Sequence, residues 1–166
     1  SANVIEPTVR PDKFWLFVIY WSKLFKIFSS TVISCIFDSS TGEIAVLALV
    51  KAFRFKVPLM EEHFNENYLE SSVFPKSTFK GKIIGFDSSK LSSKKNIYDL
   101  EGDFTLHGVT KKIKAKITIF LNSDKVIATS DIIVKPQDYN IEIPNLVKNK
   151  IAENVKVSIN FILQQK

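Results

Sequence analysis

Two histidines, a glutamate and the single cysteine are the side chains of this 166-residue chain whose types and spacing could do chemistry. His63 and Glu66 stand three positions apart, on one face if their segment is helical. His107 would complete a three-ligand metal site with an open position, the core of a metal-dependent enzyme. That arrangement requires His107 to approach the segment carrying the other two. The competing reading puts His63 on a solvent face and His107 in a turn, its ring bonded to a backbone carbonyl. Cys35 lies in an apolar stretch with no histidine nearby in sequence, and a buried cysteine is inert unless its thiolate is favoured. One cysteine and two histidines also leave too few soft ligands for a four-ligand structural zinc site. No Gly-x-Ser-x-Gly elbow and no phosphate-cradling glycine loop occurs in the chain. The balance is against an enzyme, and no cofactor is implied.

Charge offers a different chemistry. On a strand, Lys112, Lys114 and Lys116 share one face, and such a basic stripe can bind anionic polymers. Single-stranded nucleic acid also needs exposed aromatics for its bases to stack on, and that face continues only with Thr118 and Phe120. A solvated outer face reads the same way. The basic surface module therefore stands as an alternative, and nucleic acid is not an expected partner. Over the whole chain, 23 basic residues against 17 acidic ones leave +6, an ordinary solubility charge.

The elements that must position these groups are strands. Lys112 to Ile119 alternates polar and apolar without a break, and Val155 to Phe161 repeats the pattern. Val32–Phe37, Glu43–Phe55, Ser77–Ile84, Asn96–Leu106 and Lys125–Val134 are rich in Val, Ile, Thr and Phe and are bounded by turn residues. The Glu43–Phe55 piece is long for one strand and is expected to bend in its middle. With the aromatic run from Phe14 to Trp21, the count reaches about eight. One segment breaks the rule: Leu59 to Leu69 places Met60, Phe64 and Tyr68 at helical spacing with acidic residues opposite, and Pro58 suits a first helical position. The polar stretch Ser88–Lys95 reads as a hairpin loop.

These elements predict an all-β fold, an antiparallel closed β-barrel of about eight strands with one short helix near 59–69. Fourteen Phe against five Gly favour a barrel whose large planar side chains line a cavity. No linker, repeat or charge block divides the chain. Residues 24–166 are read as the barrel domain, and residues 1–23 as an unassigned segment, an export remnant or a first strand. Arg10 and Lys13 precede the apolar run as they would in a signal peptide, while the run is far short of a membrane span. Val32-Ile33-Ser34-Cys35 matches a lipoprotein processing box, but a strand with a buried cysteine is the preferred reading.

Three segments in order resemble the YceI-like family: Leu59 to Tyr68, the Phe-Pro-x-x-x-Phe of Phe74 to Phe79, and the Thr-x-His-Gly-Val-Thr turn of Thr105 to Thr110. The resemblance implies a lipocalin-like barrel around a long apolar channel, with a polyisoprenoid or another long-chain lipid as partner. It also implies a bacterial protein that is periplasmic or secreted, and leaves room for transient membrane contact and a homodimer. Strands of about ten residues run roughly 33 Å, comparable with several prenyl units laid end to end.

The apolar phase of the strands then nominates lining residues: Phe53, Phe55, Phe79, Phe104, Ile117, Ile133 and Val157. The helix adds Met60, Phe64 and Tyr68, the last with a hydroxyl for a lipid head group. Each of them serves equally as plain core. His107 and Thr110 are assigned to the hairpin turn. The expected function is non-enzymatic binding, transport or sequestration of an amphiphilic lipid (a polyisoprenoid, an isoprenoid quinone or a fatty-acid derivative) that enters beneath the 59–69 helix.

Overall fold

The computed structural model describes residues 4–7, 17–20, 33–55, 58–143 and 153–165. Its strands are β1 (Val4–Pro7), β2 (Phe17–Tyr20), β3 (Ile33–Asp38), β4 (Glu43–Leu49), β5 (Lys76–Ile84), β6 (Asn96–Leu106), β7 (Val109–Asn122), β8 (Lys125–Val134) and β9 (Val155–Gln165). All pair antiparallel in one sheet, and β3 to β9 follow one another as an up-and-down meander. The all-β antiparallel expectation holds.

The closed barrel of about eight strands needs correction. Seven strands, β3 to β9, curl into a half-barrel. Among the described residues its margins meet only through the four residues of β1, which match two positions of β3 and three of β9. The physical reason is length: β3 has six residues, and β9 gives its other outer positions, from Lys156 to Ile159, to the four-residue β2. Of the aromatic run expected as a strand, Phe17–Tyr20 is β2; residues 14–16 and 21 lie outside the described residues, as does Val32 of the processing box.

Turn chemistry sets the register. His107 and Gly108 both have positive φ, 49° and 72°, the backbone of a two-residue type I′ hairpin turn. It registers β6 on β7 over eleven residue pairs. The expected bend in Glu43–Phe55 occurs where β4 ends, in a 3₁₀ turn at Val50–Ala52. The expected helix is also present. Helix α1 (Pro58–His63) widens into a π turn over Phe64–Tyr68, closed by the Leu69 N–H donating to the Phe64 carbonyl at 2.9 Å. Glu61 anchors α1 to the chain before it, accepting from Arg54 Nη1 at 2.6 Å and from the Phe55 N–H at 3.1 Å.

The concave side holds two apolar clusters. One centres on Cys35, Phe37, Ile83, Ile119 and Leu163. The other gathers Val50, Phe53, Phe64, Tyr139 and Val155 beneath the helical segment. Phe104, Ile113, Ala115 and Ile159 pack against both. No described helix is long and apolar enough to cross a membrane.

Candidate functional site

Among the described residues, inward side chains of the half-barrel form two small adjoining chambers. The inner one, about 40 Å³, lies between Ile44, Phe79, Leu100, Ile117, Ala128 and Phe161. The mouth chamber, about 80 Å³, lies under the helical segment, with Phe53, Phe64, Tyr68 and Leu69 on one side and Val134, Pro136, Ile141 and Val157 on the other. The wide π turn lets Phe64, Tyr68 and Leu69 all contribute to the same chamber. Ala48, Ser77 and Phe104 line both chambers.

Almost every lining atom is apolar, and the hydroxyls of Ser77 and Ser130 are spent internally. Ser77 Oγ donates to the Thr105 carbonyl at 2.9 Å and Ser130 Oγ to the Lys116 carbonyl at 2.8 Å. A guest in the inner chamber therefore meets hydrocarbon walls, which favour an apolar chain and penalise a buried polar group.

The nominated residues divide. Phe79, Phe104 and Ile117 line the inner chamber, and Phe53, Phe64, Tyr68, Phe104 and Val157 the mouth chamber. Three do not line either. Ile133 is 60% exposed, while Ile132 and Val134 on either side of it are buried. The parity of β8 puts it outside with Asp131, because one residue's shift in a strand changes the face. Met60 is 39% exposed, on the outer surface of α1. Phe55 packs behind the lining, its ring 4.8 Å from Phe64. The small residues Ala48 and Ser77 were not nominated; their inward phase in β4 and β5 was the available signal.

The chemistry weighed as alternatives is not assembled. His63 and Glu66 are exposed, whereas His107 is buried. Its Nδ1 donates to the Tyr139 carbonyl at 3.0 Å, and Nε2 lies 2.7 Å from Glu70 Oε2, an ion pair whenever the ring is protonated. His107 thus fastens the hairpin turn to the segments on both sides of the mouth, as the turn reading expects. Among the described residues no group of three His, Cys, Asp or Glu side chains could hold a metal. Burial pushes the Cys35 thiol up to about 12, which keeps it neutral and disfavours nucleophilic chemistry, and in β3 it is 0% exposed.

The lysine stripe is matched by its neighbour. Lys114 Nζ donates to Glu101 at 2.8 Å, Lys116 pairs with Asp99, and Lys112 stands opposite Asp103 in register. A hydrogen bond and the charge of Glu101 hold the Lys114 ammonium above its ordinary range. Lys95 covers the Phe120 ring at 5.2 Å. The face presents alternating signs in place of a basic track.

A family model, the YceI-like domain, matches residues 17–163. The chain belongs to the YceI-like family. Its fold is similar to a polyisoprenoid binding domain from Saccharophagus degradans implicated in plant cell wall breakdown, with TM-score 0.72, 15% identity and 99% of this chain on 96% of that one. It is similar to BcnA of Burkholderia cenocepacia, with TM-score 0.64, 13% identity and 97% on 95%. The YCEI protein of Campylobacter jejuni gives TM-score 0.63, 14% identity and 87% on 91%. At these identities the likeness speaks for the YceI-like fold alone. No curated protein matches the chain by sequence.

Proposed function

We propose that this YceI-like chain is a non-enzymatic carrier or sequestering protein for an amphiphilic lipid of the polyisoprenoid class. The observation that carries the reading is the pair of adjoining chambers whose walls are apolar and whose Ser77 and Ser130 hydroxyls are already bonded to backbone. Burying a CH₂ group contributes about 0.8 kcal/mol, so a few isoprene units offset the ordering costs of binding. Affinity then needs no charge inside, only a polar group at the mouth, where Tyr68 is placed.

Size adds a condition. An apolar cavity of about 150 Å³ takes one benzene. Chambers of about 40 and 80 Å³ therefore admit a long chain only as aromatic side chains turn aside. Exposed Leu59 and Met60 on α1, beside the mouth, support transient contact with a membrane during loading. A periplasmic or secreted bacterial setting and a homodimer belong to the same reading and rest on the family.

The test is gentle purification, organic extraction and mass spectrometry of the co-purifying lipid. A stoichiometric prenyl or acyl species is expected. A protein that arrives empty and also takes up no added farnesol would sink the carrier reading.

A further inference from the structure

We infer that Phe104 is a gate between the two chambers and sets how long a chain the protein accepts; this rests on the carrier reading above. Phe104 lines both chambers and packs against both apolar clusters. Facing both chambers with it are Ala48 and Ser77, which are direct partners across β4 and β5. The waist is thus one large ring against two of the smallest side chains in the lining. Its surroundings suit a ring that moves. Phe104 is only partly buried, whereas Phe79, its partner across β5 and β6, is buried. Among the described residues its ring neighbour is Tyr139, at 5.6 Å and 77°, an edge contact that a rotation can break and remake.

The geometry gives the gate a consequence. A chain entering beneath α1 fills the mouth chamber first. Each further carbon must then displace the Phe104 ring before it reaches Phe79, Ile117 and Phe161 in the inner chamber. Short chains bind without opening the waist, and long ones bind only by opening it. The residue therefore acts on chain length and leaves head-group preference to the mouth.

The experiment is calorimetric titration of the delipidated full chain with prenyl alcohols of increasing length, beginning with prenol, a single isoprene unit, and continuing through the all-trans series from geraniol upward. In the wild type, affinity is expected to rise with chain length and then flatten once the mouth chamber is full. In Phe104→Ala the rise continues into longer chains, at up to about fourfold per additional buried CH₂. Ala48→Leu fills the waist from the opposite wall, so its plateau moves to shorter chains. It keeps the test in force should Phe104→Ala not fold. An identical plateau in the wild type and the folded variants, with binding intact, overturns the gate and leaves the carrier reading standing. Absence of binding by every protein to every alcohol overturns both.

Discussion

Gly81 and Gly102 face each other directly across β5 and β6, and the ring of Phe79 lies against both. A Cβ on Gly81 would come within 2.5 Å of that ring, and one on Gly102 within 2.7 Å. Two inward positions without side chains let Phe79 lie flat on the sheet and form a wall of the inner chamber. Gly102→Ala must therefore shift the β5 backbone, whose Lys80 carbonyl oxygen would stand closer still to the new Cβ, as well as the ring. Overpacking of this kind costs about 1–3 kcal/mol, which lowers Tm by roughly 2–12 °C for a domain of this size. Thermal unfolding measures it, and Phe79→Leu in the Gly102→Ala background should recover part of the loss.

Truncating that wall and trimming the outer face should have opposite outcomes for ligand. Phe79→Ala widens the inner chamber and is expected to change the bound lipid. Lys114→Ala touches only the exposed pair with Glu101, and such pairs add little to stability. It should leave both lipid and Tm as they were. Mass spectrometry of extracted lipid decides, and the internal channel is wrong if neither variant alters what is bound.

His107→Ala should be the costliest change outside the chambers. It leaves the buried Tyr139 carbonyl without its donor, at about 1–3 kcal/mol, and places Ala at a positive φ that costs about 1–2 kcal/mol more. His107→Asn tolerates that backbone and should recover part of the difference. Denaturant titration of the two variants separates the backbone contribution from the hydrogen bonds.

The Cys35 thiol, at about 12, should resist iodoacetamide at pH 8 in the folded protein and react fully in denaturant. Alkylation of the native protein on the timescale of a free thiol would show that β3 opens or that the core around it is wrong.

Acid should weaken the fold through aspartates. Burial raises the Asp131 carboxyl, but hydrogen bonds from Lys156 and Ser158 and the Lys156 charge more than offset it and hold it below the usual 3.8. Ser40 and Ser89 lower Asp38 and Asp87 in the same way through hydroxyl and backbone hydrogen bonds. A depressed carboxyl contributes stability that is present above about pH 4 and lost as pH falls through its folded value. Tm should be flat from pH 5 to 7 and drop below pH 4. The drop should be shallower in Asp131→Asn, and an unchanged profile would remove Asp131 from the account.

How much of this was legible depended on whether a pattern is local. Alternation in β7 and β9, the helix announced by Pro58 and the spacing of Met60, Phe64 and Tyr68, and the turn at His107 are written in neighbouring residues, and the structure contains all of them. The margin between β1, β3 and β9 is not, because pairing between strands far apart leaves no mark on either. Within strands the apolar phase puts Phe79 and Ile117 on the inner face, where they lie, and Asp131 could have corrected Ile133, since it marks the outer parity of β8. Ala48 and Ser77 escaped because a search for large apolar groups overlooks the small residues that make space. Lys112, Lys114 and Lys116 were visible as a stripe, whereas their acidic partners on β6 depend on register.

The strand order also governs how the chain assembles. Each pairing from β3 to β9 joins consecutive strands, so the loops it closes run from two residues, between β6 and β7, to the 26 of residues 50–75 between β4 and β5, and none waits for a partner from the far end of the chain. The match of Ile5 with Gln165 spans nearly the whole chain and must bear the largest loop-closure entropy. With five residue pairs in all to offset it, β1 should dock last on folding and detach first on unfolding, ahead of the cooperative loss of the meander.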